Sequence, residues 1–522
     1  MKNGCVIDGV GNPWFKTDVG VAEGKIRKMG DLRDVSAETI IDAKGLVVSP
    51  GFFDMHSHSD FTLLVNPKAE SKVRQGITTD VNGHCGQSAA PIAREEHREM
   101  IKETLGYLSA PEVKWNWTTF ADHLSRLEEG VAINVATFVG HSTIRMGVMG
   151  FDNRPPNIEE LQEMKESVAQ SMKEGAFGLT TMLGHPVGCY AKEEEIVELF
   201  KVAAKYGGIY TTHLRSQEDQ LEEAVKEAIR IGEAASAPVV LSHHKPLGRA
   251  NWGKTKITLR LVDEARNRGL DIGCDQYPYN ETLILFRQNC IPPWAMEGGI
   301  ESMIKRLKDP KTREKIKNEF YVWGAEWNEI TISTCNRAKE FEGRTIAEIA
   351  KSKNVDPAEF ILDLIMQEPD TWASAYLISD EDLIRVMKHP TFTVGSDGVA
   401  LAPYGPLGGG MPHPVSYGTF PRFLRYVREK QVMTLEEAVR KMTSLPAQRL
   451  GLWDRGIIRP EMWADLVIFD RDRVTDQATF QHPHQYPLGI EYVVVNGQVV
   501  IARGEHTGKL PGKIIRHTPP TS

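Results

Sequence analysis

Eight short bursts of apolar and β-branched residues punctuate the middle of this chain: VVSPGFFDMHSH, GITTDVNGHC, AINVATFVGH, AFGLTTML, GIYTTHL, APVVLSHHK, LDIGCDQYPY and FTVGSDG. Between most of them lie stretches with helical periodicity, such as IEELQEMKESVAQSMKEG and KEEEIVELFKVAAKYGG. The Gly207-Gly208 pair fits a helix stop ahead of the next strand. Strands that alternate with helices must lie parallel, because each helix carries the chain back to the same end of the sheet. Eight such units over roughly four hundred residues fit a (β/α)8 barrel. A doubly wound open sheet is the competing arrangement, but no G-x-G-x-x-G turn follows the first burst.

The two ends of the chain read differently. Short strand signals open it, CVIDG and then VGVAEGKIRKMG turning at Glu23-Gly24; ADLVIFD and EYVVVNGQVVIARG close it, the latter turning at Asn496-Gly497. We therefore expect an α/β chain: a barrel over 50–454, and a small β-sandwich domain built from both termini, 1–49 plus 455–522. At 522 residues the chain is long enough for one large domain and a smaller one. From about 285 to 380 an unusually long stretch separates the seventh and eighth bursts, and we expect it to form a helical insertion over the barrel mouth.

The chemically distinctive residues fall where the bursts end. His56 and His58 end the first, Cys85 follows the second, His141 the third, His213 the fifth, His243 the sixth, and Asp397 ends the eighth. In a (β/α)8 barrel those ends converge on one face, so groups remote in sequence meet there. Side chains at i and i+2 of a strand share a face, so His56 and His58 project together. Imidazoles joined by a thiolate suit zinc or a similar divalent ion. Asp397 is a carboxylate placed for proton transfer beside it. His141 is expected to be a hydrogen-bonded wall residue, and His244 must turn away from its neighbour His243.

The bulk properties narrow the partners. A net charge of −8 argues against a nucleic-acid surface, and an anionic substrate would have to be caught by local cations. The six cysteines, Cys5, Cys85, Cys189, Cys274, Cys290 and Cys335, are scattered, which suits a reducing compartment. No apolar run approaches a membrane span and MKNGCVIDG carries no signal-peptide core, so the expected location is cytoplasmic.

Through SPGFFDMHSHSD, GITTDVNGHCG, NVATFVGHSTIR, EGAFGLTT, YGGIYTTHLRSQ, VVLSHHK, DQYPY, VGSDG, YGTFPRFLRYV and ADLVIFD, the chain resembles the amidohydrolase superfamily and, within it, the D-aminoacylase (N-acyl-D-amino-acid deacylase) family. The resemblance implies zinc as cofactor. It gives Cys85, His213 and His243 one tightly held ion, and His56 and His58 with Cys85 a second, weaker site. It makes Asp397 the catalytic aspartate, and Lys245 and Tyr277 groups that hold the substrate carboxylate, with Arg145 a further candidate. Many superfamily members bridge two metals with a carbamoylated lysine on the fourth strand; here AFGLTTML has none. Three departures bear on the substrate. Relatives carry an arginine after a His-Pro where this chain reads His413-Pro414-Val415, and a tyrosine where MLGHPVG places His185. NETLILF also lacks the hydroxyl-rich pattern common after the seventh strand, and the glycine-rich APYGPLGGGMPHP loop is expected to be a flap near the pocket.

The function expected is metal-assisted hydrolysis of the amide of an N-acyl-D-amino acid, a small-molecule substrate, with no nucleic-acid or membrane partner. The rivals are a broader amidase on other N-acyl or aryl-amide carboxylates, a cyclic amidase of the hydantoinase or dihydropyrimidinase kind, and a catalytically dead scaffold.

Overall fold

The computed structural model describes residues 1–520. Eight strands form the barrel: β1 (Phe52–Asp54), β2 (Ile77–Asn82), β3 (Asn134–Thr137, resuming at Val139–Gly140), β4 (Gly178–Met182), β5 (Ile209–His213), β6 (Val239–Leu241), β7 (Ile272–Gln276) and β8 (Phe392–Val394). All adjacent pairs within the two arcs β1-β2-β3 and β3-β4-β5-β6-β7-β8 are parallel. The ring closes where Met55 N–H donates to Val394 O at 3.2 Å and Ser57 bridges in parallel to Gly398. The helices form the outer layer. One of them, Ile158–Lys173, starts at an Asn157 capping box with Glu160 and buries Met164, Val168 and Met172 against the barrel, the 3.6-residue stripe its sequence shows.

Inside the ring, Phe53, Val81, Phe138, Phe177 and Ile209 pack with Ala447 and Leu450, filling the barrel toward the N-terminal ends of the strands. Apolar filling there leaves only the opposite rim open for chemistry.

Both termini share one seven-stranded sheet. Val47–Pro50 lies between Cys5–Val6 and Leu466–Phe469, and Ile490–Val495 with Gln498–Ala502 continue it. The hairpin Asp18–Ala22/Lys25–Gly30 covers it, with Val19 and Ile26 packing on Val6, Val48, Leu466 and Ile468. The last residues depart from the expected unit. Residues 511–517 run along the barrel instead, with Val135 N–H donating to Lys513 O at 2.9 Å and Ile515 N–H to Val135 O at 2.8 Å. The first half of β3 has no ladder to β4, which pairs only with Val139–Gly140, and this segment satisfies the backbone groups left free there.

The insertion also differs from expectation: it is mixed rather than helical. Glu281–Leu285, Ile330–Thr334 and Trp372–Tyr376 form an antiparallel sheet, with Trp372–Tyr376 central. ITIST alternates apolar and polar residues at its start, whereas ETLIL and WASAY carry no clear period of two. Helices such as Gly299–Lys308 and Pro357–Gln367 pack on this sheet around an apolar core that barrel-rim residues such as Phe61, Ile92, Met146 and Tyr277 share. No helix among the described residues is long and apolar enough to cross a membrane.

Candidate functional site

The strand ends gather one cluster. Cys85 Sγ lies 3.4 Å from His56 Nε2, 3.4 Å from His243 Nε2 and 4.0 Å from His213 Nδ1. Asp397 Oδ1 lies 3.1 Å from His58 Nε2 and 3.4 Å from His56 Nε2. Within each of two overlapping groups, His56-His58-Cys85-Asp397 and Cys85-His213-His243, the donor atoms all lie within 4.8 Å of one another. Tetrahedral bonds to nitrogen and sulfur put ligand atoms roughly 3.3–3.8 Å apart. The donor set and its spacing therefore fit a zinc-type ion, with Cys85 shared between two positions.

Local backbone geometry aims these groups. Cys85, His243 and Asp397 adopt left-handed φ values of 51°, 35° and 54°, a conformation that non-glycine residues hold only where their surroundings enforce it. His56 and His58 lie just past the end of β1 rather than within it. The rim is tight: a Cβ at Gly395 would stand 2.5 Å from His56 Cβ, so only glycine lets β8 pass that close.

Electrostatics follow from this crowding. Burial opposes charge on Asp397, but His243, His58 and His56 hold its carboxyl well below the usual range, so it is ionised. Burial likewise opposes a thiolate at Cys85, and the His56 and His58 imidazoles outweigh it. Burial lowers the Lys245 ammonium to about 8 against the pull of Asp397 and Cys85.

Several groups outside the expected set orient it. His56 Nδ1 meets Asp275 Oδ1 at 3.0 Å, leaving Nε2 free to face Cys85, and the same carboxylate oxygen accepts from His243 N–H at 2.7 Å. Gln217 Nε2 lies 3.0 Å from His243 Nδ1 and holds the ring from behind. Behind the rim, Lys72 Nζ donates to Asp54 at 2.7 Å, Ser396 Oγ at 2.9 Å and Ser57 Oγ at 3.0 Å, with Asp80 at 3.5 Å. Asp54 in turn accepts from Ser396 N–H at 2.8 Å, and Gly398 O accepts from His58 N–H at 2.9 Å. The available signal was a carboxylate inside each of two otherwise apolar bursts, Asp54 and Asp80. Nothing local points to Lys72, which reaches them from a helical turn, Glu70–Val73.

The expected substrate groups divide. Lys245 and His185 line the cavity above the cluster; His185 is held by Gln288 O and Asn289 Nδ2, both at 3.1 Å. Tyr277 lies a layer behind. Its ring stands under Lys245 Nζ at 5.0 Å and its hydroxyl meets the cavity-lining Thr282 at 3.3 Å. Arg145 is a correction. It is fully buried in the helix His141–Met149, paired with Glu195 at 3.3 Å and donating to Asp152 O and Arg154 O, so it holds a surface loop and does not face the cavity. Its place after the third burst could not reveal that a helix begins at once and turns the side chain outward. His141 is buried and bonded to Glu195 at 2.8 Å, as expected, but it does not line the cavity and so is no wall residue, while His244 turns away to Thr258 at 2.8 Å.

With this geometry in place, the likenesses to other proteins can be set beside it. A model of the amidohydrolase family matches residues 39–501. A D-aminoacylase of Alcaligenes xylosoxydans xylosoxydans is 34% identical over 99% of this chain and 97% of its own length. An N-acyl-D-aspartate deacylase of the same organism is 35% identical over 99% and 94%. The crystal structure of an N-acyl-D-glutamate deacylase from Bordetella bronchiseptica, complexed with zinc and a phosphonate that mimics the tetrahedral intermediate, superimposes with a TM-score of 0.84 at 32% identity, covering 99% of this chain and 98% of that one.

Proposed function

Since the chain belongs to the amidohydrolase family, we propose that it is a zinc-dependent deacylase that hydrolyses N-acyl-D-amino acids to a carboxylate and a D-amino acid. One observation carries the reading: five metal-type donors and one ionised aspartate converge on a single barrel rim, beneath a cavity of about 710 Å³.

Cys85, His213 and His243 hold the tight position, and His56 and His58 with Cys85 form the second, weaker one. Zinc bound there supplies Lewis acidity, polarising a carbonyl oxygen and making water a stronger acid. Asp397 accepts the proton of the attacking water and passes it to the departing amine nitrogen, a task that needs the ionised carboxylate its imidazole neighbours maintain. Asp275 fixes the His56 ring in the tautomer that leaves a lone pair inward, and Gln217 holds the His243 ring in place. Lys245 donates to the substrate carboxylate, in a dry setting where a charge-assisted hydrogen bond gains strength. Tyr277 supports that ammonium from behind, and His185 forms part of the wall.

A strand-four lysine would favour the bridged, two-metal arrangement of the cyclic amidases, and β4 carries none. The test is hydrolysis by zinc-loaded protein of paired N-acetyl-D- and N-acetyl-L-amino acids, with hydantoin alongside. Release of the D-amino acid is expected. Turnover confined to the L-series or to hydantoin would refute the reading.

A further inference from the structure

The cavity is large for an acetyl group and one side chain. Its volume of about 710 Å³ lies well inside the roughly 300–1,000 Å³ of pockets that enclose a drug-sized ligand. Much of the lining is apolar: Leu283 and Leu285, with Trp323 and Trp372 from the insertion, are joined by Leu247 and Leu401, and Ser333, Thr334 and Asn336 interrupt this surface.

Its charges are equally particular. Among the described residues, the cavity lining includes two cations, Lys245 and Arg215. Arg215 is already closed, with Nε 3.0 Å from both Glu227 oxygens, and Nη2 donating to Glu227 at 2.7 Å and Ala191 O at 3.1 Å. His185 and His413 also line the cavity, and their hydrogen bonds hold both rings neutral: His185 Nε2 accepts from Asn289 Nδ2 at 3.1 Å and His413 Nδ1 accepts from Val415 N–H at 3.1 Å. Glu112, Glu218 and Asp370 add carboxylates to the same walls. Once Lys245 holds a substrate's α-carboxylate, a second carboxylate would lose its water and meet no free cation.

We propose that the preferred substrates are N-acyl-D-amino acids with an uncharged side chain and a large apolar acyl group, medium-chain alkyl or aryl. This rests on the deacylase reading above and specifies its substrate class.

The experiment uses the full chain loaded with zinc and four compounds: the N-acetyl and N-octanoyl derivatives of D-leucine and of D-glutamate. The expected kcat/KM for N-octanoyl-D-leucine exceeds that for N-acetyl-D-leucine and that for N-octanoyl-D-glutamate, each by at least tenfold. Acetyl equal to octanoyl, or glutamate equal to leucine, overturns this inference and leaves the deacylase reading standing. If none of the four is cleaved by protein of full zinc content, the reading falls and this inference with it.

Discussion

The floor and the roof of the cavity are built on opposite principles. The floor comes from the barrel rim and is polar, buried and cross-braced: the cluster side chains are held by Asp275, Gln217 and the Lys72–Asp54–Ser396 network. The roof comes largely from the insertion, whose sheet and helices pack around an apolar core shared with the rim loops and present leucines and tryptophans to the cavity. Chemistry needs atoms fixed within fractions of an ångström, whereas selecting an acyl chain needs only apolar area of the right extent. Floor variants should therefore lower turnover for every substrate, and roof variants should change the ratio between substrates.

The sharpest test of that division is Asp397→Asn. It should lower kcat by about a thousandfold or more for all substrates while zinc content, read by elemental analysis, stays at the wild-type level. Cys85→Ser should remove most of the tightly held zinc and the activity that depends on it; unchanged metal content would take the thiolate out of the scheme. Lys72→Met leaves Asp54 and Asp80 buried without their cation, a loss of the order of 3–5 kcal/mol in stability. Since the network fixes the His58 and Asp397 backbone, the same variant should lower kcat by about 10- to 100-fold with KM little changed. A change in KM alone would show that this network does not position the rim. The smallest effect belongs to the roof: Trp372→Ala should lower the octanoyl-to-acetyl ratio of kcat/KM several-fold. An equal fall for both acyl groups would place Trp372 in the floor's company.

All eight bursts became barrel strands, because period and composition are local properties of a segment. The insertion was misjudged because its strands are five residues each and lie among longer helical patterns. Among the expected site residues, His56, His58, Cys85, His213, His243 and Asp397 come together because a parallel barrel brings every strand end to one rim. Arg145 and Lys245 looked alike as single cations beside a histidine-bearing motif, yet one props a loop and the other lines the cavity.

What the sequence determined by itself is the alternation that closes a barrel and the donors placed at its strand ends, since both follow from backbone geometry repeated along the chain. What only the tertiary structure decided is the partner of each buried charge. Buried Lys72 meets Ser396 across 324 positions, and half-buried Arg215 meets the buried Glu227 across 12. Nothing in either neighbourhood marks these pairs, because a desolvated charge is settled by whichever group the fold brings within hydrogen-bond reach.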